Sequence, residues 1–161
     1  MKITAWRITL KKFGQDSMSG QGAKLYGGRW NPVGYPAIYL AQHLSLVILE
    51  LVVHFDSTDK IRDFIAFPFT FDKTSVFSLS ASSLPQNWFE LPIPSSTQQI
   101  GKKWLDANEY MVMQVPSAVV PLESNFVVNP RHKDFKHIEI EDPVPLHIDP
   151  SVEKSMQDRK S

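Results

Sequence analysis

The 161-residue chain contains no cysteine. That excludes disulfides, thiol nucleophiles and thiolate metal sites together, and it argues against a small secreted fold held by bridges. There is no excess of either charge, because 17 Lys and Arg balance 17 Asp and Glu. Direct nucleic-acid binding through a basic field is therefore not expected, and neither is an acidic disordered tail. No apolar run is long enough to span a bilayer; the longest, Leu44 to Phe55, is interrupted by Glu50 and His54. The opening MKITAWRITL reads as a strand, without the apolar core and small-residue cleavage site of a leader. His43, His54, His132, His137 and His147 show no metal-ligand spacing, so no metal is expected. These absences leave a cytoplasmic, non-membrane protein whose length fits one domain with its own core.

The residues present alternate between strand and helix patterns without a regular β-α-β rhythm. Residues 3–10 suggest a strand, 11–25 a loop, and 28–31 and 37–40 two short strands separated by the turn residues of PVGYP. SLVILELVVHF, residues 45–55, suggests a helix with Ser45 as its N-cap, apolar nearly all round and hence buried. Residues 63–71 suggest a strand whose Pro68 marks an edge or a bulge. The Pro- and Ser-rich residues 80–96 suggest a surface connection, followed by a helix with Ile100, Trp104 and Leu105 on one face. Short strands divided by Pro116, Pro121 and Pro130 come next, then a last strand within 137–148. The expected fold is α+β: a single domain of small, mostly antiparallel sheets with packed helices. Its body covers residues 1–150, and the polar tail 151–161 is expected to fray.

Glu50 is the sharpest single feature. It sits among Ile48, Leu49, Leu51 and Val52 in a segment expected to be buried. A buried carboxylate costs several kcal/mol unless it is paired, hydrogen-bonded or open to a cleft. A structural ion pair and a functional role are equally good accounts of the isolated residue. Arg29 follows two glycines in GGRWN, where the backbone can turn sharply and approach a ligand, and its planar fork suits phosphate or carboxylate. A surface arginine beside a hairpin explains that motif as well. Arg7 interrupts an apolar strand, Tyr39 sits within another, Ser117 lies in VPSAVV and Asn125 opens NFVVNP. Each is individually more common as a structural residue. No nucleophile elbow surrounds Ser117, which disfavours a serine hydrolase.

Taken together, WRI (6–8), GQGAKLYGGRWN (20–31), AIYLA (37–41), LSLVILELVVH (44–54), WLDAN (104–108), VPSAVVP (115–121) and NFVVNP (125–130) form an ordered set. On these motifs the chain resembles the RES-domain family from about Trp6 to about Phe135. The resemblance implies a fold like that of ADP-ribosyltransferases, with a cleft for NAD. It implies a bacterial toxin of a toxin–antitoxin pair that consumes NAD by hydrolysis or phosphorolysis of the nicotinamide–ribose bond. A protein ADP-ribosyltransferase is the alternative, and a non-catalytic interaction module a third. The implied partner is an antitoxin with a helix-turn-helix DNA-binding part that blocks the cleft. By position, the family arginine, glutamate and serine fall on Arg29, Glu50 and Ser117. The family tyrosine and N-terminal arginine fall on Tyr39 and Arg7, and the family asparagine falls on Asn125. The implied roles follow: Glu50 beside ribose C1′, Arg29 or Arg7 on the diphosphate, and Tyr39 against nicotinamide. Ser117 would bond the carboxamide or position Glu50, and Asn125 would contact the ligand.

Overall fold

The computed structural model describes residues 1–54 and 60–159. Eight strands form one sheet: β1 (Lys2–Leu10), β2 (Ile38–Ala41), β3 (Phe64–Asp72), β4 (Val76–Ser78), β5 (Val112–Pro116), β6 (Ser124–Val128), β7 (Glu139–Ile140) and β8 (Val144–Pro145). Their order is β4-β5-β6-β2-β1-β3-β7, with β8 also on β3. Every pairing is antiparallel except β4 with β5. Four α-helices accompany them among the described residues: α1 (Gln21–Tyr26), α2 (Leu44–His54), α3 (Ser95–Ala107) and α4 (Pro150–Asp158). The α+β class and the antiparallel preference are those expected, with the strands joined into a single sheet.

Side-chain alternation builds the core on both sides of that sheet. Ile38, Leu40, Val112, Phe126 and Val128 join Phe67, Phe69 and Phe71 in one layer. Their neighbours Ala37, Met113, Val115 and Val127 pack with Trp30 and with Trp104 and Leu105 of α3. Each such side chain, fully buried, contributes about 1.5–3 kcal/mol. Trp6 and Ile8 of β1 pack against Leu46 and Val47 of α2. The sheet opens in its middle. β1 and β3 stay in register from Lys2↔Asp72 to Leu10↔Phe64, whereas β1 and β2 pair at the single point Trp6↔Ala41. Beyond it the two strands diverge, and the gap becomes the cleft.

Several local expectations change. Residues 11–25 are not a loop: a 3-10 helix kinked at Gly14 spans Lys11–Met18, and α1 follows. Residues 28–31 form an isolated bridge, Gly28 with Asn31, rather than a strand. Helix α2 begins at Leu44, where His43 O accepts from Val47 N, so Ser45 lies inside the first turn and is not the cap. Only Leu46 and Val47 of α2 are buried, while Leu49 and Val53 are 42% and 49% exposed. Burial all round, expected from the apolar sequence, therefore does not occur. Phe55, the last residue of the expected helix, lies outside the described residues. Pro68 causes neither a bulge nor a break, since Trp6↔Pro68 sits within an uninterrupted ladder. Glu141 N donates to Pro68 O, so proline's missing N–H points the same way, away from β1. The single strand expected in 137–148 is two short ones, β7 and β8. The tail expected to fray is helix α4: Asp149 caps it, Pro150 starts it, and Met156 is 4% exposed against Ile61, Phe64 and Leu146.

Candidate active site

The gap between β1 and β2 opens into a cleft of about 650 Å³, within the usual range for a small-molecule site. Arg7, Arg29, Tyr39, Glu50 and Asn125 all line it. Five of the six singled-out residues therefore share one surface. The sixth, Ser117, is 0% exposed and lies directly behind Glu50.

Glu50 projects from α2 toward strands β5 and β6. Ser117 Oγ donates to its Oε1 at 2.9 Å, and Asn125 Nδ2 approaches its Oε2 at 3.3 Å. Ser117 follows β5, where its hydroxyl oxygen accepts from Val119 N and Val120 N at 3.1 Å each. With both lone pairs occupied, the hydroxyl proton can only go outward, and it goes to Glu50. Ser117 is thereby fixed as a donor to Glu50. Asn125 also donates to Leu40 O at 3.3 Å, which sets its amide orientation. No cation lies within ion-pair distance of Glu50 among the described residues. The structural ion pair considered for this residue is absent there, and the carboxylate is held by two neutral donors with acceptor capacity left toward the cleft.

The two arginines differ. Arg7 sits in the gap between strands, where its Nη1 donates to Tyr39 O at 3.3 Å. Its Nε is buried without a partner among the described residues, and no carboxylate pairs with it there. Burial pushes this guanidinium down from its ordinary value to about 10. Arg29, in contrast, spends Nη1 on two backbone carbonyls, Trp88 O at 2.7 Å and Glu90 O at 3.0 Å. Burial also lowers its pKa, and Tyr39 opposes that shift. Arg29 ties the glycine turn to the segment that carries Leu91 and Ile93 into the cleft wall.

Asn31, which the sequence did not single out, supports the candidate site from behind. It is completely buried and bonds Ala23 O at 2.8 Å and Tyr35 O at 2.9 Å through Nδ2. Its Oδ1 accepts the Tyr39 hydroxyl at 2.6 Å, and that hydroxyl accepts from Trp30 N at 3.0 Å. Burial pushes the Tyr39 phenol far above its ordinary value, with smaller opposing effects from the Trp30 backbone and Arg29. The phenol therefore stays protonated, and only its ring is available to the cleft. Gly27 makes the turn with φ 72°, and Gly28 leaves room for the hydroxyl, which would stand 2.6 Å from a Cβ there. The asparagine of GGRWN was the available signal, since a turn residue next to glycines is well placed to bond the loop's own carbonyls. His54, one turn beyond Glu50, lines the cleft as well.

An α+β domain with a split sheet and a hydrogen-bonded carboxylate in the split defines the class. The profile of the RES domain matches residues 4–149, and the chain belongs to that family. A Toxin Res of Yersinia enterocolitica is 37% identical over 131 residues, covering 81% of this chain and 86% of that one. A Prs ADP-ribosylating toxin of Sphingobium sp. is 33% identical over 143 residues, covering 86% and 89%. The NAD(+) phosphorylase MbcT of Mycobacterium tuberculosis is 47% identical over 38 residues, 23% of this chain and 20% of that one. The crystal structure of the M. tuberculosis MbcT–MbcA toxin–antitoxin complex has a chain that superposes with a TM-score of 0.76 at 21% identity, covering 98% and 90%. That likeness shows a shared fold. No helix among the described residues is long and apolar enough to cross a membrane, and no group of three or more His, Cys, Asp or Glu there could hold a metal ion.

Proposed function

We propose that this protein is the toxin of a bacterial toxin–antitoxin pair and acts in the cytoplasm by cleaving the nicotinamide–ribose bond of NAD. The observation that carries this reading is Glu50, a carboxylate at the cleft wall held at both oxygens by Ser117 and Asn125. As the C1′–N bond breaks, its electron pair leaves with neutral nicotinamide and positive charge develops on the ribose. A fixed carboxylate beside C1′ stabilises that charge without reorganising during the reaction. Its remaining acceptor sites orient the ribose hydroxyls. Water or phosphate then bonds to C1′, water losing a proton in doing so.

Arg7 is the group best fitted to the diphosphate, because its buried Nε has no partner among the described residues and an anion would relieve its burial. Arg29 adds charge at the mouth and holds the wall segment. Tyr39 offers its ring to nicotinamide, with the hydroxyl already committed. Ser117 acts through Glu50. Asn125 shares that positioning role and can reach the ligand from the cleft surface. The names of the relatives support NAD as substrate and an antitoxin as partner, and a helix-turn-helix antitoxin covering the cleft belongs to the same proposal. The NAD is a substrate here, and no metal enters the scheme.

A second reading is favoured by one observation: the Sphingobium relative, 33% identical across most of the chain, is named an ADP-ribosylating toxin. In that reading a protein side chain replaces water as acceptor. The test is to incubate the protein with NAD, with and without phosphate, and to identify products. ADP-ribose with nicotinamide indicates hydrolysis, and a phosphorylated ADP-ribose formed only with phosphate indicates phosphorolysis. Label transfer from NAD to protein in cell extract, with no release in its absence, indicates the transferase. Nicotinamide release under none of these conditions removes the enzymatic proposal and leaves the interaction module.

A further inference from the structure

Helix α3 borders no part of the cleft, yet it carries the turn that does. Gly27, Gly28, Arg29 and Trp30 line the cleft, and no residue of α3 is among the lining. A Cβ on Gly101, in the middle of α3, would stand 1.6 Å from Trp30 O and 2.5 Å from the carbon of that carbonyl. The helix backbone therefore rests directly on the Trp30 carbonyl, and only glycine admits that approach. One turn earlier, Gln98 Nε2 donates to Gly28 O at 3.1 Å. One turn later, Trp104 and Leu105 share a buried cluster with the Trp30 side chain. Residues three and four apart are neighbours on a helix surface, so one face of α3 meets the whole turn.

Arg29 lies between the two carbonyls that α3 holds. Its Nη1 donates to Trp88 O and Glu90 O, and Ser96 Oγ, in the first turn of α3, donates to Asn87 Oδ1 at 3.0 Å. Turn, wall segment and helix thus close one ring of contacts. Tyr39 joins it, because its hydroxyl accepts from Trp30 N at 3.0 Å. Glu50 stands apart, held from the side of β5 and β6 by Ser117 and Asn125. We infer that Gln98 and Gly101 are positioning residues, which set where Arg29 and Tyr39 meet the ligand through the carbonyls of Gly28 and Trp30. The inference rests on the proposed cleavage of NAD for the identity of that ligand. Since the hold on Glu50 comes from elsewhere, loss of the α3 contacts weakens ligand binding and leaves the chemical step alone.

Gly101→Ala is the direct variant, but it forces α3 off the turn and can unfold the protein. Gln98→Met therefore carries the test, since it keeps the length and helix preference of the side chain and removes the donor. Gln99→Met, at an exposed position of the same helix, is the control. In folded Gln98→Met, KM for NAD should rise about fivefold, the scale of one lost hydrogen bond, with kcat close to wild type. The Trp30 amide resonance should shift in proton–nitrogen correlation spectra, and Gln99→Met should change neither reading. A lower melting temperature with KM and the Trp30 resonance unmoved would make Gln98 merely structural and overturn the inference, as would an equal effect of Gln99→Met. A wild type that releases no nicotinamide would refute the proposed cleavage instead. Calorimetric NAD affinity lowered in Gln98→Met and not in Gln99→Met would then still support the positioning role, and unchanged affinity would overturn it.

Discussion

Ser117 Oγ donates to Glu50 Oε1 at 2.9 Å while its own oxygen accepts from the N–H groups of Val119 and Val120. One hydroxyl thus joins the turn after β5 to the carboxylate on α2. Ser117→Ala should therefore act twice. It strands two backbone donors, at a cost of about 1–3 kcal/mol, and it frees one oxygen of Glu50. The expected result is a melting temperature lowered by a few degrees and kcat for nicotinamide release reduced about tenfold or more, with KM nearly unchanged. Calorimetric melting and steady-state kinetics check both parts. Full activity in a folded variant would remove Ser117 from the positioning of Glu50.

Asn125 faces Glu50 Oε2 with its amide nitrogen, which also serves Leu40 O. Asn125→Asp would set a second carboxylate against the first. Like charges at that range oppose ionisation of both groups. The variant loses the amide donor to Glu50 and repels its carboxylate, so it should stay folded and release nicotinamide at least about tenfold more slowly than wild type. Release at the wild-type rate would contradict this arrangement.

Arg7 carries a stability cost with a definite sign. Burial holds its pKa in the fold at about 10, below the ordinary arginine value. Below pH 10 both folded and unfolded chains hold the proton, and the full penalty of burying the charge is present. The penalty relaxes only as pH rises above about 10 toward the ordinary arginine value, where the unfolded chain binds more protons and stability increases with pH. At neutral pH, Arg7→Met should therefore raise the melting temperature, by roughly 2–4 °C for each kcal/mol recovered, and weaken NAD or ADP-ribose binding at least tenfold. A fall in both stability and affinity would show that Arg7 is structural.

Arg29 should separate from Arg7. Arg29→Ala releases the carbonyls of Trp88 and Glu90. Hydrogen exchange should accelerate across residues 88–93 in this variant and remain at the wild-type rate there in Arg7→Met. Equal exchange in both would dissolve the distinction between a wall-fixing and a ligand-facing arginine.

Gly28 is a packing prediction. A Cβ there would stand 2.6 Å from the Tyr39 hydroxyl and 2.8 Å from Asn31 Oδ1. Gly28→Ala should destabilise the protein by about 1–3 kcal/mol through overpacking, read as a lower denaturation midpoint at constant slope. An unchanged midpoint would mean that the hydroxyl network can shift freely.

The sequence made some of this visible and hid the rest for physical reasons. Glu50 stood out because a carboxylate inside ILELVV has to be satisfied somewhere, and the structure satisfies it with Ser117 and Asn125, 67 and 75 residues away. Those partners were reachable only through the resemblance of the surrounding motifs, since spacing along the chain says nothing about contacts at such separation. The exposure of Leu49 and Val53 was invisible because apolarity does not report which face of a helix meets the sheet. Helix α4 was hidden by the opposite problem. Val152 and Met156 are its few apolar residues, spaced by one turn, and the surrounding charge masks them. The Asp149–Pro150 start was legible in principle, as a capping residue before a proline. Arg29 and Arg7 were indistinguishable by type; the carbonyls of Trp88 and Glu90 separate them, and those come from a proline-rich stretch with no regular pattern.

Glu50 is proposed to be the charge that stabilises the breaking nicotinamide–ribose bond. The most direct measurement is nicotinamide release from NAD by wild type and by Glu50→Gln, followed side by side at saturating NAD with circular dichroism as a check on folding. The change removes the charge at near-constant volume and leaves an acceptor for Ser117. The expected result is a folded variant whose kcat falls by at least about a hundredfold, the scale of a lost electrostatic partner in a preorganised site, with ADP binding retained. A folded Glu50→Gln variant releasing nicotinamide at the wild-type rate would contradict it.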